Sequence, residues 1–226
     1  MKTAIILVGN VRTWNQCKKN FIETFGTDTD IFIQTYTKQY AYHPWVQRSL
    51  NFFDDCILDN VAEMFNGLNV RGQSITDLDE YVNLVVKPGI SDKFPADAYQ
   101  TLAQYFKLND GILNVRHYES VKGFQYDRII KTRFDVEYYP FDQDMRNDEV
   151  YVDSNGAGVY PCDWILVANR NTSIAINDFI IREIRDPKDA TSLDLLPHKL
   201  FLNGIRSTTH EPFTRPLIKS IIRASK

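Results

Sequence analysis

The apolar run Ala4–Val8, closed by Gly9, constrains the fold more than any other feature of the chain. A continuous apolar run that ends at a turn residue is typical of a strand buried on both faces of a parallel sheet. The next residues predict a helix over Asn15–Phe25, closed by Gly26, and a second strand over Asp30–Ile33. Strand, helix and strand in this order predict a βαβ unit and therefore an α/β fold.

The remaining pattern extends this unit to one domain, residues 1–226. We expect a mainly parallel, twisted central sheet of five strands between two helical layers. The further predicted strands are Ile129–Glu137, Val150–Val152 and Trp164–Val167. The further predicted helices are Val46–Cys56, Leu58–Phe65, Thr76–Val86, a long helix after Asp97 with Leu102, Phe106 and Leu113 on its apolar stripe, Ser173–Ile184, Leu195–Leu202 and Thr214–Arg223.

Composition and charge exclude several functional classes. A net charge of −3 without a basic patch argues against nucleic acid as a partner. The first apolar run is too short for a signal peptide, and no run approaches the roughly 18 apolar residues of a transmembrane helix. Cys17, Cys56 and Cys162 lie far apart, without metal-ligand spacing, which favours reduced thiols in a cytoplasmic protein.

The charged segment around residue 133 is the most informative about chemistry. If Ile129–Glu137 is one strand, side-chain alternation places Lys131, Arg133, Asp135 and Glu137 on a single face. Such a face belongs either to a solvated edge strand or to a strand end that opens into a cleft. In a cleft, the two carboxylates suit Mg²⁺ or Mn²⁺, and the cations suit a diphosphate.

Three sequence blocks carry a family resemblance. They are Ile5-Ile6-Leu7-Val8-Gly9-Asn10-Val11-Arg12-Thr13-Trp14, then Asp30-Ile31-Phe32-Ile33-Gln34-Thr35-Tyr36, then Tyr126–Asp135 with Lys131-Thr132-Arg133-Phe134-Asp135 at its end. In this order they resemble small GT-A-like glycosyltransferases of large DNA viruses, algae and bacteria.

That resemblance implies a three-layer GT-A (Rossmann-like) fold and a hexosyl- or deoxyhexosyltransferase activity. The donor would be a nucleoside-diphosphate sugar, and the acceptor a hydroxyl of a glycan or glycoprotein. It also implies that Asp135 and Glu137 bind Mn²⁺ or Mg²⁺, although the chain has Asp-Val-Glu where the family usually has Asp-x-Asp.

Residues after the first two strands complete the expected donor site. Gly9, Asn10 and Arg12 follow the first strand, at the sheet edge where α/β folds bind nucleotides. Glycine allows close backbone approach, Asn10 can bind base or ribose, and Arg12 can pair with phosphate alongside Arg133. Gly9-Asn10 can also be a simple turn. Tyr36 can border the base or pack in the core.

The expected acceptor side depends on Asp163, which precedes the strand Trp164–Val167. A carboxylate there can take the proton of an attacking hydroxyl, or it can cap a turn. The resemblance implies His210 as a further metal ligand, although a loop histidine is also compatible with simple exposure. Two other functions share this pattern, a nucleotidyltransferase and a catalytically inactive nucleotide-binding module.

Overall fold

The computed structural model describes residues 1–11, 13–36, 39–40, 52–53, 63–77, 99–140, 145–154, 161–186, 197–208, 212–215 and 217–221. The helices are α1 (Trp14–Phe25), α2 (Tyr99–Lys122), α3 (Arg170–Arg185) and α4 (Pro197–Arg206). The strands are β1 (Thr3–Val8), β2 (Asp30–Tyr36), β3 (Gln39–Tyr40), β4 (Phe52–Phe53), β5 (Asn69–Thr76), β6 (Arg128–Thr132), β7 (Val136–Tyr138), β8 (Val150–Ser154), β9 (Pro161–Asn169), β10 (Pro212–Arg215) and β11 (Ile218–Ile221).

A seven-stranded sheet in the order β10-β8-β9-β6-β1-β2-β5 forms the centre of the fold. All neighbouring strands run parallel except β9, which is antiparallel to both β6 and β8. Strands β1, β2, β5, β6, β8 and β10 therefore end at one edge of the sheet, here named the carboxyl edge. This architecture confirms the predicted α/β fold with a mainly parallel sheet.

Helices cover both faces of the sheet, as predicted. Helix α1 packs Trp14 and Phe21 against the face of β1 that carries Ile5 and Leu7. Helix α2 packs on the opposite face, where its Ile112 lies in one apolar cluster with Ala4, Ile6 and Val8 of β1. Helices α3 and α4 lie on the same side as α2 and bury Ile176, Ile180, Leu200 and Phe201 against β8 and β9. The fold has three layers.

Local signals account for the ends of two helices. Helix α1 ends before Gly26, whose φ of 79° is a left-handed conformation that favours glycine. Helix α3 begins after Asn169, whose side-chain oxygen accepts a hydrogen bond of 2.9 Å from the Thr172 amide. Both ends fall within three residues of the positions that the sequence predicts.

The predicted strand Ile129–Glu137 is wrong in its continuity. Strand β6 ends at Thr132, and after a turn at residues 133–135 the chain enters β7, which leaves the main sheet and pairs antiparallel with β11. The turn is stabilised by Tyr138, whose hydroxyl lies 3.0 Å from Thr132 Oγ1 and donates to the Arg133 carbonyl at 3.3 Å. The four charges therefore do not share one strand face.

Other predicted elements also differ from the structure. Thr214–Arg223 is not a helix, because β10 and β11 lie on either side of Pro216, which cannot donate a backbone hydrogen bond. Strand β5 was missed, and Phe52–Phe53 is a strand where a helix over Val46–Cys56 was predicted. Leu113 is 51% exposed rather than part of an apolar stripe. Most of the predicted helices between residues 46 and 86 lie outside the described residues.

Hydropathy along the helices bears on membrane association. Within the described part of the chain, no helix combines the length and apolar content needed to cross a bilayer.

Close packing of α2 on the sheet depends on Gly111. A Cβ atom at this position would lie 2.4 Å from Ile6 Cγ2 and 3.2 Å from Gln34 Cγ. The γ-methyl group of a β-branched residue moves little, because its χ1 angle is restricted. Glycine therefore sets how closely α2 crosses β1 and β2.

We predict that Gly111→Ala destabilises the protein. Overpacking costs about 1–3 kcal/mol, against a gain of roughly 1 kcal/mol in helix propensity. Chemical denaturation of the variant should give a lower midpoint than the wild type. As a control, Leu113→Ala changes an exposed side chain of the same helix and should move the midpoint little. Equal stability of Gly111→Ala and wild type would contradict the close approach.

Candidate functional site

The turn after β1 and the turn after β6 lie side by side at the carboxyl edge. Leu7 of β1 pairs with Thr132 of β6, so the residues that follow each strand leave the sheet next to each other. Gly9 has a φ of 114°, its amide donates to the Gln34 carbonyl at 3.1 Å, and its carbonyl accepts from Thr35 Oγ1 at 2.7 Å. These bonds join the first turn to β2, and the conformation of Gly9 favours glycine.

The N-terminus of α1 also lies at this edge, directly after the Gly9 turn. The amide of Trp14 donates to the Val11 carbonyl at 2.9 Å, and the first turn of the helix has no acidic residue. The hydroxyl of Thr13 is buried and has no hydrogen-bond partner among the described residues. A helix N-terminus carries partial positive charge, which favours anions, although the amides of Gln16 and Cys17 here already donate to the Thr13 carbonyl.

Arg133 and Asp135 form a bidentate ion pair in the turn after β6. Arg133 Nε donates to Asp135 Oδ1 at 2.8 Å, and Arg133 Nη2 donates to Asp135 Oδ2 at 2.6 Å. The Asp135 side chain is 5% exposed, whereas that of Arg133 is 24% exposed. The pair thus has a buried carboxylate and a partly accessible guanidinium with a fixed orientation.

Beneath this pair lie α1 and β7. Asn20 of α1 donates to the Tyr138 carbonyl at 3.1 Å and accepts from the Tyr138 amide at 2.6 Å. Burial, together with the nearby carboxylates of Asp135 and Glu137, raises the pKa of the Cys17 thiol to about 12. Both carboxylates therefore act on the same side of α1, and Cys17 is a buried free thiol rather than a nucleophile.

The C-terminal strand β11 is held against this region by Asp153, which the sequence analysis missed. Its Oδ1 accepts from the amides of Leu217 and Ile218, both at 2.9 Å, and the residue is buried at the end of β8. The pattern Val150-Tyr151-Val152-Asp153, an apolar strand ending in a carboxylate, was the available signal. Asp153 is thus a structural residue beside the site.

Tyr36 lies at the end of β2, but its ring is inside the core on the α2 side, with 3% of its surface exposed. Lys107 Nζ of α2 lies 5.3 Å from the ring centroid and donates to Ser74 Oγ at 3.0 Å. Burial raises the pKa of the Tyr36 hydroxyl, and Asp110 raises it further. The structure therefore gives Tyr36 a packing role and places a buried lysine beneath the carboxyl edge.

The other predicted site residues divide into two groups. Asn10 lies at the carboxyl edge and is half-buried. The backbone of Asp163 lies near the start of β9, which runs opposite to β6, so it reaches the same edge. Arg12 and His210 lie outside the described residues.

The fit of a divalent ion can be judged from the donor set. Carboxylate oxygens suit Mg²⁺ and Mn²⁺, but both oxygens of Asp135 already accept from Arg133. Among the described residues, no group of three or more His, Cys, Asp or Glu side chains is arranged to hold a metal. Asp135 and Glu137 supply two carboxylates and His210 lies outside the described residues, so the metal site stays a prediction.

Three surface cavities lined by described residues lie elsewhere. The first, of about 450 Å³, is lined by Asp127 and Asn169. The second, of about 510 Å³, is lined by Lys2 and Arg71, and the third, of about 310 Å³, by Arg116. The first two lie where β1 and β6 begin, at the end of the sheet opposite the carboxyl edge. Polar contacts between elements, such as Arg170 with Glu119 at 2.7 Å, account for their charged walls.

Comparison with known proteins gives a distant structural likeness and no family. No protein-family model matches the chain, and no curated protein matches it significantly. The apo-form glycosyltransferase GlyE of Streptococcus pneumoniae TIGR4 is similar at 10% identity and a TM-score of 0.46, over 94% of this chain and 44% of that chain. The chain thus spans less than half of GlyE. A likeness this distant concerns shape, and activity has to be argued from the residues.

We predict that the wild type gains stability relative to Lys107→Met as the pH rises from 7 to 9.5. Burial lowers the pKa of Lys107 from 10.5 to about 8, while Asp110 opposes the shift. Above pH 8 the unfolded chain binds a proton at this residue that the folded chain does not, so the free energy of unfolding increases. The full shift corresponds to more than roughly 3 kcal/mol, of which about 2 kcal/mol is gained between pH 7 and 9.5.

Melting temperatures of both proteins across this range provide the measurement. The comparison with Lys107→Met removes the effects of Cys17, Tyr126 and Tyr138, whose pKa values burial raises. A difference that is constant with pH would contradict the burial of an ionisable lysine.

Proposed function

We propose that this chain is a glycosyltransferase that binds a nucleoside-diphosphate sugar at the carboxyl edge. The observation that carries the proposal is the position of the Arg133–Asp135 pair next to the Gly9 turn and the N-terminus of α1. A fixed guanidinium, a close backbone and a helix N-terminus are three features that bind phosphate groups. The order of the three sequence blocks supports the sugar as the transferred group.

The reaction transfers a glycosyl group from phosphate to a hydroxyl. The acceptor oxygen forms a bond to the anomeric carbon, while the bond from that carbon to the phosphate oxygen breaks. The electron pair of the broken bond stays on the nucleoside diphosphate, and the hydroxyl proton passes to a base. Positive charge beside the diphosphate stabilises the negative charge that develops on this leaving group.

The proposal also names a base and an acceptor. Asp163 is the proposed base, because its backbone lies at the same edge as Arg133. The transferred group would be a hexose or deoxyhexose, and the acceptor a glycan or glycoprotein. A reducing, cytoplasmic setting is part of the proposal, on the wide spacing of the three cysteines in the sequence.

Either a divalent ion or the guanidinium of Arg133 can supply the positive charge. An ion on Asp135 and Glu137, with His210 as a further ligand, is the arrangement that the family resemblance implies. Such an ion would supply Lewis-acid stabilisation of the leaving group. Each Asp135 oxygen has a second lone pair, so such an ion would share Asp135 with Arg133 and lie beside the guanidinium charge.

We predict that uridine or guanosine diphosphate binds the protein and raises its melting temperature, while uridine and guanosine do not. A ligand that binds the native state stabilises it, by about 2.7 kcal/mol at a concentration of 100 times Kd. Thermal melting and calorimetry with each compound, with and without Mn²⁺, provide the measurement.

Absence of diphosphate binding at millimolar concentration, in both conditions, would contradict the donor site. Binding without transfer or hydrolysis of any nucleotide sugar would favour an inactive nucleotide-binding module. Pyrophosphate release from a nucleoside triphosphate would favour a nucleotidyltransferase.

We predict that Asp163→Asn lowers the turnover number but leaves the Kd of the donor largely unchanged. The substitution keeps the shape of the side chain and removes its basicity, and general base catalysis contributes typically 10²–10⁴-fold. Donor hydrolysis or transfer is measured alongside calorimetry. Unchanged turnover would make Asp163 a turn residue, and an equal loss of binding and rate would place it at the donor.

A further inference from the structure

The carboxyl edge already contains a fixed cation. Arg133 is held by two hydrogen bonds on one carboxylate, of 2.8 and 2.6 Å, so its guanidinium plane has a defined direction. About a quarter of its side chain is exposed, whereas its partner Asp135 is 5% exposed. The charge that a ligand meets at this turn is thus positive, and the negative partner lies below it.

A divalent ion at the same place would compete with this pair. Both Asp135 oxygens accept hydrogen bonds from Arg133, and a metal would have to share at least one of them with the guanidinium. The ion would then lie within a few ångströms of a guanidinium, whose charge persists at all relevant pH values. No cluster of three acidic or histidine ligands is present among the described side chains to compensate.

We propose that Arg133, oriented by Asp135, is the cation that binds the donor diphosphate, and that diphosphate binding requires no divalent ion. This inference rests on the proposed function, because it identifies the group that recognises the donor. Arginine suits the role, since its planar fork of N–H donors matches phosphate oxygens. Asp135 acts as a positioning residue through Arg133.

The surrounding turn keeps the guanidinium in place. Tyr138 joins its two ends, with the hydroxyl 3.0 Å from Thr132 Oγ1 and 3.3 Å from the Arg133 carbonyl. Asn20 fixes Tyr138 to α1 through both backbone atoms. The Gly9 turn and the N-terminus of α1 follow the adjacent strand, so a diphosphate beside Arg133 would also lie near the partial positive charge of that helix.

The test measures Kd for uridine and guanosine diphosphate by calorimetry, in EDTA and in Mn²⁺. The variants are Arg133→Gln, Arg133→Lys, Asp135→Asn and the double variant Arg133→Gln/Asp135→Asn. The last of these leaves no buried carboxylate unpaired and guards against misfolding. Arg71→Gln is the matched control, because Arg71 forms a comparable pair with Asp30, 2.6 Å apart, at the opposite end of β2. Thermal melting checks the folding of each variant.

We expect the wild type to bind a diphosphate in EDTA with a Kd that Mn²⁺ changes less than threefold. Arg133→Gln should weaken this binding by about tenfold to a hundredfold, the range for charge-assisted hydrogen bonds, and Arg133→Lys by less. Arg71→Gln should bind like the wild type. The double variant should bind no more weakly than Arg133→Gln, since Asp135 acts through Arg133.

Two results would overturn the inference and leave the proposed function standing. One is diphosphate binding that appears only with Mn²⁺ and is lost in Asp135→Asn but kept in Arg133→Gln. The other is unchanged binding in folded Arg133→Gln. If the wild type binds no diphosphate in either condition, the proposed function itself fails, and the inference fails with it.

Discussion

Complete burial of β1 is the constraint on which the rest of the structure depends. Every residue from Ala4 to Val8 has an exposed fraction of 0%, so both faces and both edges of this strand must be covered. Parallel pairing with β2 and β6 covers the edges, while α1 and α2 cover the faces. One consequence is chemical, because the chain can leave a fully buried strand only at its end. Because β1 and β6 are parallel neighbours, the Gly9 turn and the Arg133 turn lie side by side at the carboxyl edge.

Polar contacts between residues far apart in the chain then position the segments that leave the sheet at the carboxyl edge. Asn20 satisfies both backbone groups of Tyr138, and Tyr138 closes the turn after β6. Asp153 satisfies the amides of Leu217 and Ile218, which brings β11 onto β7. Burying a backbone group without a hydrogen-bond partner costs about as much free energy as losing a hydrogen bond. Each of these side chains therefore supplies partners for a segment that does not pair within the main sheet.

The sequence predicted the elements whose signals are local. An apolar run sufficed for β1, and the helical spacing of Cys17, Phe21, Ile22 and Phe25, with Gly26 after them, sufficed for α1. It failed for β5, an edge strand with few apolar residues, and for β10 and β11, whose pairing partners lie far away in the chain. Gly9, Arg133 and Asp135 were predicted to share one site, Gly9 from its position after a strand and the other two from a charged strand face and the family resemblance. Their ion pair was not, because a continuous strand was assumed where Tyr138 closes a turn.

The Arg133–Asp135 pair differs from the other ion pairs of the described structure in what it connects. Glu119–Arg170 joins α2 to α3 and Asp30–Arg71 joins β2 to β5, across 51 and 41 residues, so both stabilise contacts between elements. Arg133 and Asp135 are two residues apart, and their pair links no elements. Arg146–Asp148 is equally local, but its side chains are 66% and 68% exposed, as expected of a solvated turn. A local pair with a buried carboxylate incurs a desolvation cost without cross-linking the fold. What the pair does on its own is to orient the Arg133 guanidinium at the carboxyl edge.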